Sequence, residues 1–247
     1  MTDDVKTVVW KERRLLFSQR GGRTQLILTL LVPAALFAVV MPWQEGRGYF
    51  DSPVVIMAGI FIPMLIVMLT IPESIAGERE RHTLETLLAS RLSGRNILFG
   101  KLIVSIGLAL LIALVAFVVG FVVANATDWT GQLVFYSRMI AVASITLSVL
   151  VASLSASAGV LISLKAATVR EAQQKLMAAV MFPVLLLGIA GTFVFTIEAI
   201  RDKITGIIDR IDPIVLFLVV VVILIAACCF LMRAAIKRFQ RARLTLD

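Results

Sequence analysis

Charge is scarce in this sequence. Asp, Glu, Lys and Arg make up 16% of its 247 residues, against about 25% in an ordinary soluble domain. That shortage excludes a soluble globular enzyme and a disordered chain, both of which depend on polar surface. Cysteine is nearly absent. Cys228 and Cys229 stand side by side inside an apolar run, so no disulfide framework is available. The single histidine, His82, cannot build a metal site alone. The closest approach to a phosphate-binding loop runs from Gly94 to Leu102. It has one residue too many between its glycines, and Leu102 stands where a hydroxyl should reach magnesium. H-E-x-x-H and G-x-S-x-G are both missing.

Apolar residues fill the space left by these absences, at 60% of the chain. A bilayer core about 30 Å thick needs about 20 mainly apolar residues per helical span. Six runs qualify, at 26–43, 53–72, 102–124, 139–164, 176–197 and 214–232. None alternates in the manner of a barrel strand. The predicted fold is therefore all-α: one polytopic membrane domain over 1–247 with six transmembrane helices. The first run lacks a small-residue cleavage pattern and reads as a retained span.

Lys and Arg set the orientation. The stretches before span one, between spans two and three, between four and five, and after six hold 6, 5, 3 and 5 of them, 19 of the 24. The positive-inside rule then places both termini in the cytoplasm. It also accounts for the net charge of +8 without a nucleic-acid partner. The middles of the six runs contain no Asp, Glu, Lys, Arg or His. This argues against a proton- or sodium-driven transporter and against a voltage sensor. The serine-rich run Ser153–Gly159 reads as small residues at a helix–helix contact rather than as a protease nucleophile.

Three interfacial stretches carry most of the polar chemistry. In the first, over 1–25, Val5, Val8, Val9, Glu12 and Leu16 share one side of a helix, and Lys6, Arg13, Arg14 and Arg20 populate the rest. This predicts a basic amphipathic helix on the membrane face, with Lys11, Arg13 and Arg14 as interfacial anchors. In the second, over 73–101, Glu78, Arg81 and Glu85 fall at i, i+3 and i+7. Leu84, Leu87 and Leu88 make an apolar stripe beside them, and Ser93-Gly94 breaks the helix. Such a helix is suited to dock a partner. Lys101 is expected to anchor the entry to span three at the headgroups. In the third, over 198–213, isoleucines repeat every three to four residues with charges between, predicting an outer amphipathic helix. Pro33, Pro63 and Pro183 are expected to bend their spans.

The second stretch resembles the signature of type-2 ABC transporter permeases, a run of the form E-R-E-x-G-T-L-E-x-L-L followed by a helix break and G-K. Here it reads Glu78-Arg79-Glu80-Arg81-His82-Thr83-Leu84-Glu85-Thr86-Leu87-Leu88, and later Gly100-Lys101. Lys11-Glu12-Arg13-Arg14-Leu15-Leu16 is similar to the family's N-terminal K-E-x-R-x-L. Two positions depart: His82 stands where the family usually has Gly, and Arg91 where Pro is common.

The resemblance implies the transmembrane subunit of an ATP-driven exporter in the plasma membrane. Two permease chains, identical or related, would form the pathway among membrane lipids. Separate cytoplasmic ATP-binding subunits would hold ATP and magnesium, and this chain would bind no cofactor. Carried onto this sequence, Glu78, Glu80, Arg81, Thr83, Leu84, Glu85, Leu87 and Leu88 become the residues that dock and couple to the ATPase. The residues by themselves leave three other readings open: a scaffold that docks a partner without transport, a passive channel, and a lipid-headgroup enzyme using Glu198, Asp202, Asp209 and Asp212.

Overall fold

Helix is the only regular structure that satisfies every backbone group within one apolar segment, and the described residues form no strand. The structure, a computed structural model, describes residues 2–18, 32–83, 93–196 and 212–244. Helix α1 is Thr2–Ser18. Helix α2 covers residues 32–45 and widens into a π-helical turn at Leu36–Val40, just after Pro33. The long helices follow: α3 Pro53–Glu80, α4 Gly94–Thr127, α5 Arg138–Ser163, α6 Val169–Thr196 and α7 Pro213–Leu244.

Among the described residues four helices are long and apolar enough to cross a membrane: α3, α4, α5 and Ile214–Phe239 of α7. The expected outer helix at 198–213 falls almost wholly outside the described residues, as does the start of the expected first span.

Caps, rather than hydropathy, end these helices. The Ser52 hydroxyl accepts from Val54 N–H at 3.2 Å, and Pro53 follows at the first helical position. Ser93 does the same for α4, accepting from Asn96 N–H at 3.2 Å. The Ser93 cap starts α4 eight residues before 102, and α3 runs eight residues beyond the apolar run expected to end at 72. The helices project past the apolar zone and carry their polar ends with them. Pro63 and Pro72 sit inside α3 without ending it.

α3 and α5 make the closest seam. A Cβ on Gly59 would stand 2.8 Å from Ser144 O, and one on Gly159 would stand 2.9 Å from Ile71 Cγ2. The Ser148 hydroxyl lies between the two backbones, 2.8 Å from Gly59 O and 2.7 Å from Ser144 O. Ala152, Ala156, Ser155 and Ser157 are buried along the same helix. Small side chains let two backbones approach, and dispersion contacts then hold them where lipid offers no hydrophobic drive. The serine-rich run thus has the packing role its composition implied.

The far end of the bundle is closed by aromatics. Tyr49 and Phe50 are buried and meet Tyr136 edge-on, with ring centroids 6.1 and 5.1 Å away. The Tyr49 hydroxyl donates to Phe37 O at 3.0 Å, a carbonyl within the π-helical turn.

Candidate coupling site

The polar chemistry gathers at the opposite end. The three residues Glu78, Arg79 and Glu80 occupy the last turn of α3, and successive helical side chains point about 100° apart. Three consecutive charges must therefore address three directions, and here each reaches a different element.

Glu78 points inward and is buried. Its Oε1 receives Lys11 Nζ of α1 at 2.9 Å, and its Oε2 lies 2.9 Å from Lys101 Nζ of α4. The second contact is a charge pairing without the alignment of a hydrogen bond. Arg79 reaches the end of α5, donating to Leu164 O at 3.0 Å and to Ala166 O at 3.4 Å. Glu80 reaches the start of α6, accepting from Val169 N–H at 3.1 Å. The cation meets a helix C-terminus and the anion a helix N-terminus, so each charge complements the dipole it faces.

Lys101 is the centre of the group. Its side chain is fully buried, and a buried ammonium is tolerated only when paired and hydrogen-bonded. Lys101 Nζ donates to Glu12 Oε1 at 2.8 Å and to Ser74 O at 2.6 Å, beside the Glu78 carboxylate. Lys11 and Lys101 balance Glu12 and Glu78. The headgroup anchor expected at Lys101 is corrected: the lysine turns into protein because two carboxylates await it there.

The expected orientation of α1 changes with it. Val8 and Glu12 are buried against the foot of α4, not against lipid. Gly100 makes this approach possible, since a Cβ there would stand 2.5 Å from Val8 Cγ1. Lys11 is partly exposed and paired with Glu78. Arg13 and Arg14 remain on the outer face, with the Arg14 guanidinium 5.4 Å from the Trp10 ring centroid.

The helix expected to run through 78–88 stops at Glu80. Thr83 N–H donates to Glu78 O at 2.9 Å and His82 N–H to Arg79 O at 3.0 Å. This is the Schellman closure of a helix, which places the residue after the C-cap in the left-handed region. That residue is His82, with φ of 54°. The family's usual glycine at this position has a physical reason, and histidine adopts the same turn at a cost in strain. The Thr83 hydroxyl also donates to Glu78 O, at 3.2 Å. Arg81 turns back to Glu73 at 3.2 Å. Glu78 turns inward to Lys11 and Lys101 while Arg81 turns back to Glu73, so these two do not present one charged face. Leu84, Glu85, Leu87, Leu88 and Arg91 lie outside the described residues.

Two participants were missed in the sequence, Glu12 and the Ser74 carbonyl. Glu12 did leave a signal: one acid among the valines of α1, matched by one lysine at the head of an apolar span. Among the described residues no group of three or more His, Cys, Asp and Glu could hold a metal.

Comparison with curated proteins finds no match. A family model described as ABC-2 family transporter protein matches residues 14–222. That match spans the charged end of α3, the whole membrane-crossing set α3–α5 and the first part of α7. The chain belongs to the ABC-2 transporter family, as a multi-pass membrane permease of the type-2 ABC class.

Proposed function

We propose that this permease is the transmembrane subunit of an ATP-driven exporter and that cytoplasmic ATP-binding subunits dock on the segment following Glu80. In this reading the chain crosses the plasma membrane six times with both termini in the cytoplasm. It pairs with a second permease chain to form the pathway. ATP and magnesium belong to the partner, and hydrolysis occurs there.

The observation that carries the reading is the divergence of Glu78, Arg79 and Glu80. A partner that pushed on the segment after Glu80 would pull at once on α1 and α4 through Glu78, on α5 through Arg79 and on α6 through Glu80. Glu78 and Glu80 then transmit motion, while Arg81, Thr83, Leu84, Glu85, Leu87 and Leu88 form or flank the docking surface. Sidedness supports this too. All four strongly basic stretches of the sequence meet at this end, through Lys11–Glu78, Lys101–Glu12, Arg79–Leu164 and the packing of Phe239 beside Gly94. An energy source outside the chain is consistent with the missing phosphate loop.

The test is affinity purification in mild detergent from the native host, with mass spectrometry and an ATPase assay on the eluate. An ATP-binding subunit should co-purify. Leu84→Asp should leave the spans folded and uncouple hydrolysis from transport. Elution with a partner lacking any nucleotide site, or full coupling in Leu84→Asp, would overturn the docking assignment.

A further inference from the structure

Helix α1 carries two stripes, and the fold uses one. Val8 and Glu12 are buried against α4, with Val5 beside them. On the opposite side Lys6, Trp10, Arg13 and Arg14 fall at i, i+4, i+7 and i+8, and all four are exposed. Trp10 keeps 56% of its surface open, and the Arg14 guanidinium lies over its ring, 5.4 Å from the centroid. A large aromatic left open in a stripe of cations does not suit bulk water. Its apolar ring and N–H suit the headgroup zone of a bilayer. Cations beside it suit anionic headgroups.

We propose that contact of the Trp10–Arg13–Arg14 stripe with anionic headgroups of the cytoplasmic leaflet, an extension of the interfacial anchoring expected of α1, sets the Glu12–Lys101–Glu78 link. The lipid-binding half stands on α1 alone. The regulatory half rests on the coupling role proposed above for Glu78. Transmission follows from geometry. Trp10 and Glu12 are two residues apart on opposite sides of one helix. Val8 fills the notch at Gly100 with no room for a further carbon. A tilt of α1 toward the leaflet therefore moves the Glu12 carboxylate relative to the Lys101 ammonium, 2.8 Å away. The charge on Lys101 is then shared differently with Glu78, at the end of α3.

The experiment uses the full chain in nanodiscs, without any ATP-binding subunit. Trp43→Phe with Trp129→Phe leaves Trp10 as the sole tryptophan. Discs of phosphatidylcholine are compared with discs containing about one third phosphatidylglycerol. Quenching of Trp10 by brominated lipid reports contact, and hydrogen exchange over 74–83 reports the link. Anionic lipid should increase the quenching and slow exchange over 74–83 by about tenfold, the effect of one to two favourable charge contacts. Arg13→Gln with Arg14→Gln should remove both responses while leaving exchange along the α3–α5 seam unchanged. Glu12→Gln should keep the quenching and lose the response at 74–83. Trp10 quenching indifferent to lipid charge overturns the lipid contact and points the stripe toward an acidic protein surface. Quenching that responds while 74–83 does not overturns the transmission. Neither result bears on whether an ATPase docks.

Discussion

The ammonium of Lys101 lies 2.8 Å from the carboxylate of Glu12, across 89 residues of sequence. The contact is buried and shared with Glu78, so its members are interdependent. Removing Lys101 alone leaves two buried carboxylates with only Lys11, at the edge, to answer them. Lys101→Met should destabilise the permease by about 3–5 kcal/mol, the usual cost of stranding a buried charge. Adding Glu12→Gln restores a balance of one against one, Glu78 with Lys11. The double variant should therefore be more stable than Lys101→Met in thermal melts in the same detergent. Equal or greater loss in the double variant would show that the pairs act independently.

The left-handed His82 makes the turn after α3 weaker than it need be. A left-handed residue with a side chain costs roughly 1–2 kcal/mol, and glycine returns part of that gain through the freedom it adds to the unfolded chain. His82→Gly should strengthen the turn by roughly 0.5–1 kcal/mol. Exchange at the Thr83 amide, which closes the turn, should slow about threefold or more. His82→Val should speed it, because a β-branched residue tolerates this backbone least.

Gly100 is a notch cut for Val8. In Gly100→Ala the new carbon would lie 2.5 Å from Val8 Cγ1 and 2.7 Å from Val8 Cβ, so α1 must lift away. Overpacking of this kind costs about 1–3 kcal/mol. Limited proteolysis should then cut within α1 sooner than in the native chain. Val8→Ala in the same molecule removes the nearer atom and should recover part of the protection.

The start of α6 should be sensitive to acid. A hydrogen bond from Lys175, and after it one from Ala167 N–H, hold the Glu171 carboxyl below its ordinary pKa. A depressed carboxylate contributes stability above its unfolded value and loses it as pH falls through the folded one. Exchange at Ala167 and its neighbours, corrected for intrinsic rates, should accelerate as the pH passes below the usual carboxylate range. Glu171→Gln should flatten that dependence.

Much of this architecture is legible in the sequence. Runs of apolar residues dictate helices in lipid, and small residues at Ser153–Gly159 dictate close packing. The E-R-E motif stands where α3 meets α1, α4, α5 and α6. Its wiring was not legible, because a lysine heading an apolar run has two outcomes, water or a buried partner. The choice for Lys101 was made by Glu12, on an element far away in sequence. The end of α3 was equally hidden. Between Glu78 and Thr83 stands neither glycine nor proline, and a histidine at the left-handed position announces nothing. Only the departure from the family's glycine pointed to that residue.

The seam between α3 and α5 has a mechanical meaning. Gly59 of α3 admits Ser144 and Ser148 of α5, and twelve residues on, Ile71 of α3 enters the gap left by Gly159 of α5. The two fits lie about 18 Å apart along the axis and are cut into opposite members. They work as a dovetail: sliding either helix by one residue drives a side chain into its neighbour's backbone. Slip of α3 along α5 therefore carries a steric cost. α3 and α5 are shaped to move as one strut between the polar cluster at Glu78–Glu80 and the aromatic cap of Tyr49, Phe50 and Tyr136.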